Sequence, residues 1–299
     1  MIDTLKLCLK RNLIIFFPLG FFSGLPLLLT SATLGTWLAD VGVNKTTIGL
    51  FALVGIPYSL KFIWASLLDS KLKVSIFKKM GRRRVWILIF QALICINIFI
   101  MAYLDPVSQT FTMAIFAVLL AIFSASQDIA VDAWRIEINK ESEMGLGAAL
   151  YVTGYRIALL LAGAGALVIA DIYSWKVAFI ILASLYPLGI FLVLIIEIND
   201  QKNEEKIQKV NFTNIIKERI LFPFYDFIKR RSWLLILIFI ASFKWGDALL
   251  GVLSQPFMLE VGFSKSEIAA ISKAYGLIAT LIGLFIGGYV ISKYGIIFS

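Results

Sequence analysis

The stretch FSASQDIAVDAWRIE, residues 123–137, places two carboxylates and an arginine at the end of a long apolar segment. An ionisable side chain inside a bilayer costs about 2.5 to 3.5 kcal/mol on insertion scales, so such a residue usually faces a cavity or a partner. Charged side chains stand in apolar surroundings at seven positions, which are Lys61, Asp128, Asp132, Arg156, Lys244, Asp247 and Lys273. Carboxylates in such places can exchange protons, and the cations can bind anionic groups.

Polar side chains line one face of the helix that contains this stretch. They recur at three- and four-residue steps, the spacing of one helical face, and are Ser124, Gln127, Asp128, Asp132 and Arg135. A carboxyl group in a partly desolvated cavity can bind and release a proton near neutral pH, so Asp128 and Asp132 are candidates for proton coupling. Both are predicted in the last turns of the helix, close to Arg82, Arg83 and Arg84. The alternative, favoured for Asp132, is a structural latch to this arginine loop.

Other polar residues of the apolar segments are candidates for substrate binding. Arg156 can hold a carboxylate in a bidentate fork, and its alternative role is an ion pair with an aspartate of the preceding helix. Lys244 and Asp247, three residues apart in FKWGDALLG, either line a cavity or neutralise each other. The predicted binding set also contains Ser23, Gln127 and Gln255.

The composition is that of a helical membrane protein. Of the 299 residues, 60% are hydrophobic, and apolar runs long enough to span a bilayer recur throughout the chain. The net charge of +9 arises from lysines and arginines in alternate loops, which predicts lipid rather than nucleic acid as the partner. No histidine is present, so His-type zinc sites and His general bases are excluded. The sequence thus predicts a protein that is not an enzyme and uses no metal or cofactor.

The hydropathy pattern predicts eight spanning helices and a cytoplasmic N-terminus. Their approximate ranges are 12–38, 47–68, 85–104, 110–133, 146–170, 177–197, 232–258 and 267–291. The loop after the second span and the segment 199–231 are rich in lysine and arginine. Both are therefore cytoplasmic by the positive-inside rule. Trp37, Trp64 and Trp134 stand near span ends, where we expect interfacial anchors.

One loop between two spans occurs twice. LADVGVNKTTIGLF (38–51) aligns with MLEVGFSKSEIAAI (258–271) at a constant offset of 220 residues, which is 258 − 38. A repeat that restarts after six spans in the same orientation is typical of carriers built from two parallel halves. The predicted domains are a six-helix bundle over 1–198, a cytoplasmic linker over 199–231, and the first two helices of a second bundle over 232–299. Because a full second bundle needs six spans, we expect the 299-residue chain to be inactive in transport by itself.

Three segments resemble a known family. They are GFFSGLPLLLTSATLGTWLADVGVNKTTIGLFALVGIPYSLKFIWASLLD (20–69), GRRRVW (81–86) and ASQDIAVDAW (125–134). All three resemble the AmpG muropeptide permeases of the major facilitator superfamily, and the similarity runs from about Gly20 to the last residues. The resemblance implies the superfamily's all-α fold and a monomeric inner-membrane permease driven by the proton gradient. It also implies import of N-acetylglucosaminyl-1,6-anhydro-N-acetylmuramyl peptides for cell-wall recycling.

The resemblance further implies gating roles in the loop after the second span. The superfamily signature places Gly-Arg a few residues after an aspartate, whereas Asp69 and Gly81 are separated here by SKLKVSIFKKM. Asp69, Gly81 and Arg82–Arg84 are the corresponding residues. Related acetyl-CoA transporters share parts of the pattern. The alternatives are therefore a carrier of acyl-CoA or another small anionic solute, or an inactive truncated remnant.

Overall fold

The computed structural model describes residues 11–68, 80–140, 143–196, 222–270 and 275–276. Within these residues all regular structure is helical, and no strand occurs. In the part of the chain that the structure describes, six helices are long and apolar enough to cross a membrane, namely α1 (Phe16–Asp40), α2 (Lys45–Ala65), α3 (Arg82–Tyr103), α4 (Thr110–Ile138), α5 (Leu146–Ile172) and α6 (Trp175–Ile195). The predicted all-α polytopic fold is confirmed, and these six ranges agree with the first six predicted spans to within about five residues at each end.

Among the described residues, three further helices follow the sixth span. The long helix α7 (Trp233–Val261) covers the seventh predicted span, and the short helix α8 (Lys265–Ile268) follows the duplicated loop. A separate short helix, Phe222–Ile228, precedes α7. Most of the predicted linker, most of the eighth span, Asp69 and Lys273 lie outside the described residues.

Several spans are interrupted along their length. Pro26 lies inside the first segment of α1, and α5 contains a π-helical turn at Leu161–Gly165. The segments are Phe16–Leu29 and Ala32–Asp40 in α1, Lys45–Leu50, Phe51–Gly55, Ile56–Leu60 and Phe62–Leu68 in α2, and Trp175–Ser184 and Tyr186–Ile195 in α6. Such irregular turns free backbone groups and are tolerated in membranes where neighbouring helices enclose them.

Glycines let α1 and α5 approach each other backbone to backbone. A Cβ atom added at Gly20 would overlap the carbonyl oxygen of Tyr151, and one added at Gly154 would overlap that of Phe17. Gly24, four residues after Gly20, faces the carbonyl of Tyr155 in the same way. Small residues at four-residue spacing are the usual device for close helix packing in membranes.

Two of the three tryptophans predicted as interfacial anchors belong to the core instead. Trp134 is fully buried with its ring edge-on to Phe16 at 6.1 Å between centroids. Trp37 is stacked on Trp175, also at 6.1 Å. The prediction was wrong because position along a span does not reveal which face of the helix points inward. Trp64 donates from its indole nitrogen to the hydroxyl of Ser126 at 2.9 Å, and so serves packing between α2 and α4.

The duplicated loop has the same backbone structure in both copies. Gly42 and Gly262 both have positive φ, at 85° and 105°, in the left-handed conformation that favours glycine. The N–H of Val43 donates to Leu38 O at 2.9 Å, and the N–H of Phe263 donates to Met258 O at 3.1 Å. Each copy then begins a helix with a side-chain cap, from Asn44 in one and Ser264 in the other. The predicted repeat is therefore a structural one in this loop.

Candidate functional site

Four helices meet around the carboxylate of Asp128. The hydroxyl of Tyr151 in α5 donates to Asp128 Oδ1 at 3.4 Å, and Lys61 Nζ in α2 lies 3.9 Å from Asp128 Oδ2. Beside it in α4, the amide nitrogen of Gln127 donates to the hydroxyl of Ser23 in α1 at 3.3 Å. The structure thus brings together Asp128, which was predicted to couple protons, with Gln127 and Ser23, which were predicted to bind substrate. We call Ser23, Lys61, Gln127, Asp128 and Tyr151 the Asp128 cluster.

Asp128 lies deeper in the helix than the sequence indicated. Both α4 carboxylates were predicted in the last turns, but α4 continues through the polar residues after Trp134 and ends at Ile138. Asp128 is therefore ten residues, 138 − 128, before the helix end, which corresponds to about 15 Å along the axis. The prediction failed because charged residues beyond the apolar segment extend the helix.

The surroundings of the Asp128 carboxylate combine burial with loose contacts. Its side chain is only 11% exposed, which removes most of the water that would otherwise stabilise a charge. The Lys61 ammonium lies beyond the 2.7 to 3.2 Å range of strong hydrogen bonds. A buried carboxylate held this way has a nearby counter-ion but is not fixed by it.

Gln127 leaves one polar atom open in the same cluster. Its side chain is fully buried, and its carbonyl oxygen Oε1 has no hydrogen-bond partner among the described residues. Buried polar atoms are normally paired, and an unpaired one marks a place where water or a ligand group can bind. Gln127 thus offers a hydrogen-bond acceptor beside the carboxylate of Asp128.

Asp132 has a different environment from Asp128. Its side chain is 42% exposed and accepts from the guanidinium of Arg135 at 3.0 Å, three residues later on the same helix. Arg135 in turn lies over the ring of Tyr151, at 5.1 Å from its centroid. The expected latch from Asp132 to the arginines of the preceding loop is not made in this structure.

Among the described residues, Glu137 is the carboxylate that contacts the arginines. Arg83 donates to Glu137 Oε1 from Nη2 at 2.6 Å, and Arg82 lies 3.8 Å from the same oxygen. Arg84 Nη2 donates to the carbonyl of Val193 at 2.7 Å, near the C-terminal end of α6. The last carbonyls of a helix have no partner within the helix, and a cation there also interacts favourably with its dipole. These three arginines therefore tie the start of α3 to the ends of α4 and α6, and Gly81, with φ 80°, provides the turn before them.

The other predicted binding residues lie apart from the Asp128 cluster. Arg156 is exposed on α5 and forms no ion pair with any described residue, so the alternative of an internal pair with an α4 aspartate is not seen. Lys244 is exposed on α7, with its Nζ 5.8 Å from the centroid of the Phe243 ring, and the side chain of Asp247 lies outside the described set. Gln255 is buried and lies 2.6 Å from the hydroxyl of Thr36. It therefore joins α7 to α1.

Three contributors to these contacts were missed or underrated by the sequence analysis. Lys61 was noted only as an intramembrane charge, Tyr151 has no charge to attract notice, and Glu137 stands after the apolar segment. For Glu137 a signal existed, because it is the acidic residue of α4 nearest to the arginine-bearing end. No spacing rule links Lys61 or Tyr151 to Asp128, since each belongs to a different helix.

Six long apolar helices around buried polar groups define a multi-pass α-helical membrane protein. A sequence profile described as Major Facilitator Superfamily matches residues 16–299, and the chain belongs to that superfamily, within its AmpG group. It is 38% identical to "Putative transporter AmpG 4" of Rickettsia felis, over 93% of this chain and 67% of that protein. It is 37% identical to "Anhydromuropeptide permease" of Escherichia coli (strain K12), over 92% of this chain and 54% of that protein. The chain thus spans about two thirds of the first relative and about half of the second.

Proposed function

We propose that this protein is a secondary transporter of the bacterial inner membrane that imports anhydro-muropeptides together with protons. The superfamily membership and the name of the Escherichia coli permease support the transported substrate. The observation that carries the mechanism is the buried carboxylate of Asp128, enclosed by four helices and opposed by Lys61. Coupling to a proton gradient requires such a group, because a carrier needs a site that takes up a proton on one face and releases it on the other.

The proposed orientation places the N-terminus and the arginines of α3 in the cytoplasm. Arg82, Arg83 and Arg84 stand at the end of the helices where α4 and α6 finish, opposite to the duplicated loop. Basic residues accumulate on the cytoplasmic side of membrane proteins. With residues 1–198 as one bundle and 199–231 as a linker, α7 then begins the second bundle and runs in the same direction as α1.

In the proposed coupling step, Asp128 alternates between Lys61 and a proton. With the carboxylate charged, the ammonium of Lys61 at 3.9 Å is its counter-ion. Protonation removes the charge and frees Lys61, whose side chain is partly exposed, to turn to a substrate carboxylate. Asp132, which is more exposed and already paired with Arg135, holds the helix face in place. The energy comes from the proton gradient, without a resident cofactor.

The substrate class matches the charges that the chain offers. Muropeptides carry carboxylates, which Arg156 and Lys244 can bind, and the fork of the guanidinium suits a carboxylate particularly well. Ser23 and Gln127 supply hydrogen-bonding groups beside Asp128. Asp247 and Gln255 both belong to α7, so they contribute to the proposed binding site from the second half.

Uptake of radiolabelled anhydro-muropeptide into bacteria that lack their own permease tests the function. Two proteins are compared, this chain alone and this chain continued by the residues of the Rickettsia felis relative that follow the matched region. We expect saturable, proton-dependent uptake by the continued chain and none by the 299-residue chain. Uptake of acetyl-CoA or another solute in place of muropeptide would overturn the substrate assignment, and uptake that persists without a proton gradient would overturn the coupling.

A further inference from the structure

Two ion pairs join the duplicated loops to each other. Lys45 Nζ, in the first copy, lies 2.7 Å from Glu260 Oε2 in the second, and Lys265 Nζ, in the second copy, lies 3.0 Å from Asp40 Oδ2 in the first. At the offset of 220 residues, Lys45 corresponds to Lys265 and Asp40 corresponds to Glu260. Each pair is therefore the counterpart of the other, with lysine and carboxylate exchanged between the halves. We call Lys45–Glu260 and Lys265–Asp40 the cross-repeat ion pairs.

This reciprocity means that the halves meet about a local two-fold axis. An interface in which residue i contacts residue j and the equivalent of j contacts the equivalent of i is the isologous arrangement. Thr36 and Gln255, which lie within hydrogen-bond distance, are at nearly equivalent positions, since 255 − 220 is 35. Residues and their equivalents meet only near a two-fold axis, so the axis passes close to this buried contact.

We propose that the cross-repeat ion pairs, with the Thr36–Gln255 contact beneath them, form the gate that closes the outer face of the carrier. All these contacts join α1, or Lys45 at the start of α2, to α7 and α8, at the end of the helices opposite to the arginines of α3. A hydrogen bond at the same end also joins the two halves, since the hydroxyl of Ser266 donates to the carboxylate of Asp171 at the end of α5. For the outer face to open, these ties between the halves must separate.

The two cross-repeat ion pairs differ in strength although they are equivalent in position. The side chain of Lys45 is 76% exposed, whereas that of Lys265 is 18% exposed. Asp40 also accepts from the indole nitrogen of Trp175 at 2.6 Å, which holds the carboxylate in place. Exposed ion pairs are screened by water and salt and contribute little, so Lys265–Asp40 is the principal tie.

Local structure also holds Lys265 in position. It is the first residue of α8, whose N-cap Ser264 and third residue Glu267 form a reciprocal capping box. The backbone N–H of Ser264 donates to the carboxylate of Glu267, and so does the hydroxyl of Ser264. These two hydrogen bonds, chiefly the one from the backbone, hold the pKa of the Glu267 carboxyl below its usual range. The carboxylate half of the capping box is therefore intact at neutral pH and is lost only as the pH falls through that lowered pKa, whereas the Ser264 hydroxyl still accepts from the Glu267 backbone N–H.

A double-mutant cycle with spin labels tests the gate in this chain, reconstituted in lipid nanodiscs. Labels are attached at Val107→Cys and Val261→Cys, one in each half at the outer end, after Cys8 and Cys95 have been replaced by serine. The distance between the labels is measured for Asp40→Asn, for Lys265→Gln and for both together. Asp40→Asn keeps an acceptor for Trp175 and removes only the charge, and Lys176→Gln, at the same end but contacting Tyr103 within the first half, is the matched control.

We expect each single change to populate a longer distance, and the double change to add little to either, because both remove the same interaction. Lys45→Gln should have a smaller effect, below about a fivefold change in the ratio of the two populations. Unchanged distances in Asp40→Asn and Lys265→Gln, or strictly additive effects, would overturn the proposal. The inference rests on the proposed transport function, but its failure is distinguishable, since the distances are measured without substrate and muropeptide uptake is a separate assay.

Discussion

At the scale of single residues, two aspartates one turn apart on α4 have opposite environments. Asp128 is buried, and the ammonium of Lys61 lies 3.9 Å from its carboxylate. Asp132 is half-exposed and forms an ion pair with Arg135 at 3.0 Å. Burial removes most of the water that stabilises a charged carboxylate, so Asp128 depends on its counter-ion to a degree that the half-exposed Asp132 does not. We therefore propose different roles for the two residues, a structural one for Asp132 and proton exchange for Asp128.

Substituting these aspartates one at a time separates the two roles. In a transport-competent form of the protein, we expect Asp128→Asn to abolish uphill, proton-driven accumulation of muropeptide, because asparagine cannot bind a proton reversibly. Exchange of labelled for unlabelled substrate across the membrane should persist, since it needs no net proton movement. The assay is uptake into proteoliposomes with and without an imposed pH gradient, followed by counterflow.

Asp132→Asn is the matched control for that experiment. Asparagine is isosteric with aspartate here too, and the change removes only the partly exposed ion pair with Arg135, which is worth about 0.2 to 1 kcal/mol. We expect accumulation to remain and its dependence on the pH gradient to be retained. Accumulation that stays pH-driven in Asp128→Asn would show that the coupling group is elsewhere.

The spacing along α4 predicted which residues share a buried face, but it did not predict their partners on other helices. A helical face can be read from three- and four-residue spacing, so Ser124, Gln127 and Asp128 could be assigned to one side. The contacts of Asp128 come from α2 and α5, and spacing along one helix carries no information about them. For the same reason Glu137 was missed as the partner of Arg83, and Asp132 was expected in its place.

At the scale of helices, close packing of α1 on α5 determines where the Asp128 cluster forms. Ser23 lies in α1 between Gly20 and Gly24, and the tyrosine of the cluster is the residue whose carbonyl faces Gly20. A larger side chain at either glycine would separate the two helices and move Tyr151 away from Asp128. The segment GFFSG contained this signal, since small residues four apart predict close helix packing.

Glycine-to-alanine substitutions test this packing. Gly20→Ala forces a methyl group against the backbone of α5, and overpacking of this kind costs about 1 to 3 kcal/mol. Gly246→Ala is the control, because nothing lies within 4 Å of its added Cβ and alanine favours a helix by about 1 kcal/mol. We expect the thermal midpoint in detergent to fall for Gly20→Ala and to stay the same or rise for Gly246→Ala. Equal midpoints in the two variants would contradict the close α1–α5 contact.

The existence of the helices was easier to predict than their ends. Length and hydropathy identify a span, because about 20 apolar residues are needed to cross the membrane. They do not identify its termination, and α4 extends five residues past the predicted position 133, since 138 − 133 is 5. Charged residues such as Arg135 and Glu137 are good helix formers, so a helix can leave the apolar layer without ending.

At the scale of the whole molecule, the repeat and the charge distribution describe the same architecture. The duplicated loop, with its paired glycines of positive φ and paired helix caps, relates α1 to α7. Because the two helices are equivalent, they run in the same direction through the membrane. The arginine-bearing start of α3 and the cross-repeat ion pairs therefore lie at opposite ends of the helices.

The proposed orientation follows from that separation and can be measured in intact cells. With Cys8 and Cys95 replaced by serine, we expect Ser108→Cys, in the loop between α3 and α4, to react with a membrane-impermeant maleimide added from outside. Arg230→Cys, just before α7, should react only after the inner membrane has been made permeable, because the basic segments remain in the cytoplasm. The outer membrane must be permeable to the reagent in both samples. The reverse pattern of labelling would place the cross-repeat ion pairs on the cytoplasmic face, where they would close the carrier against release of substrate instead of its entry.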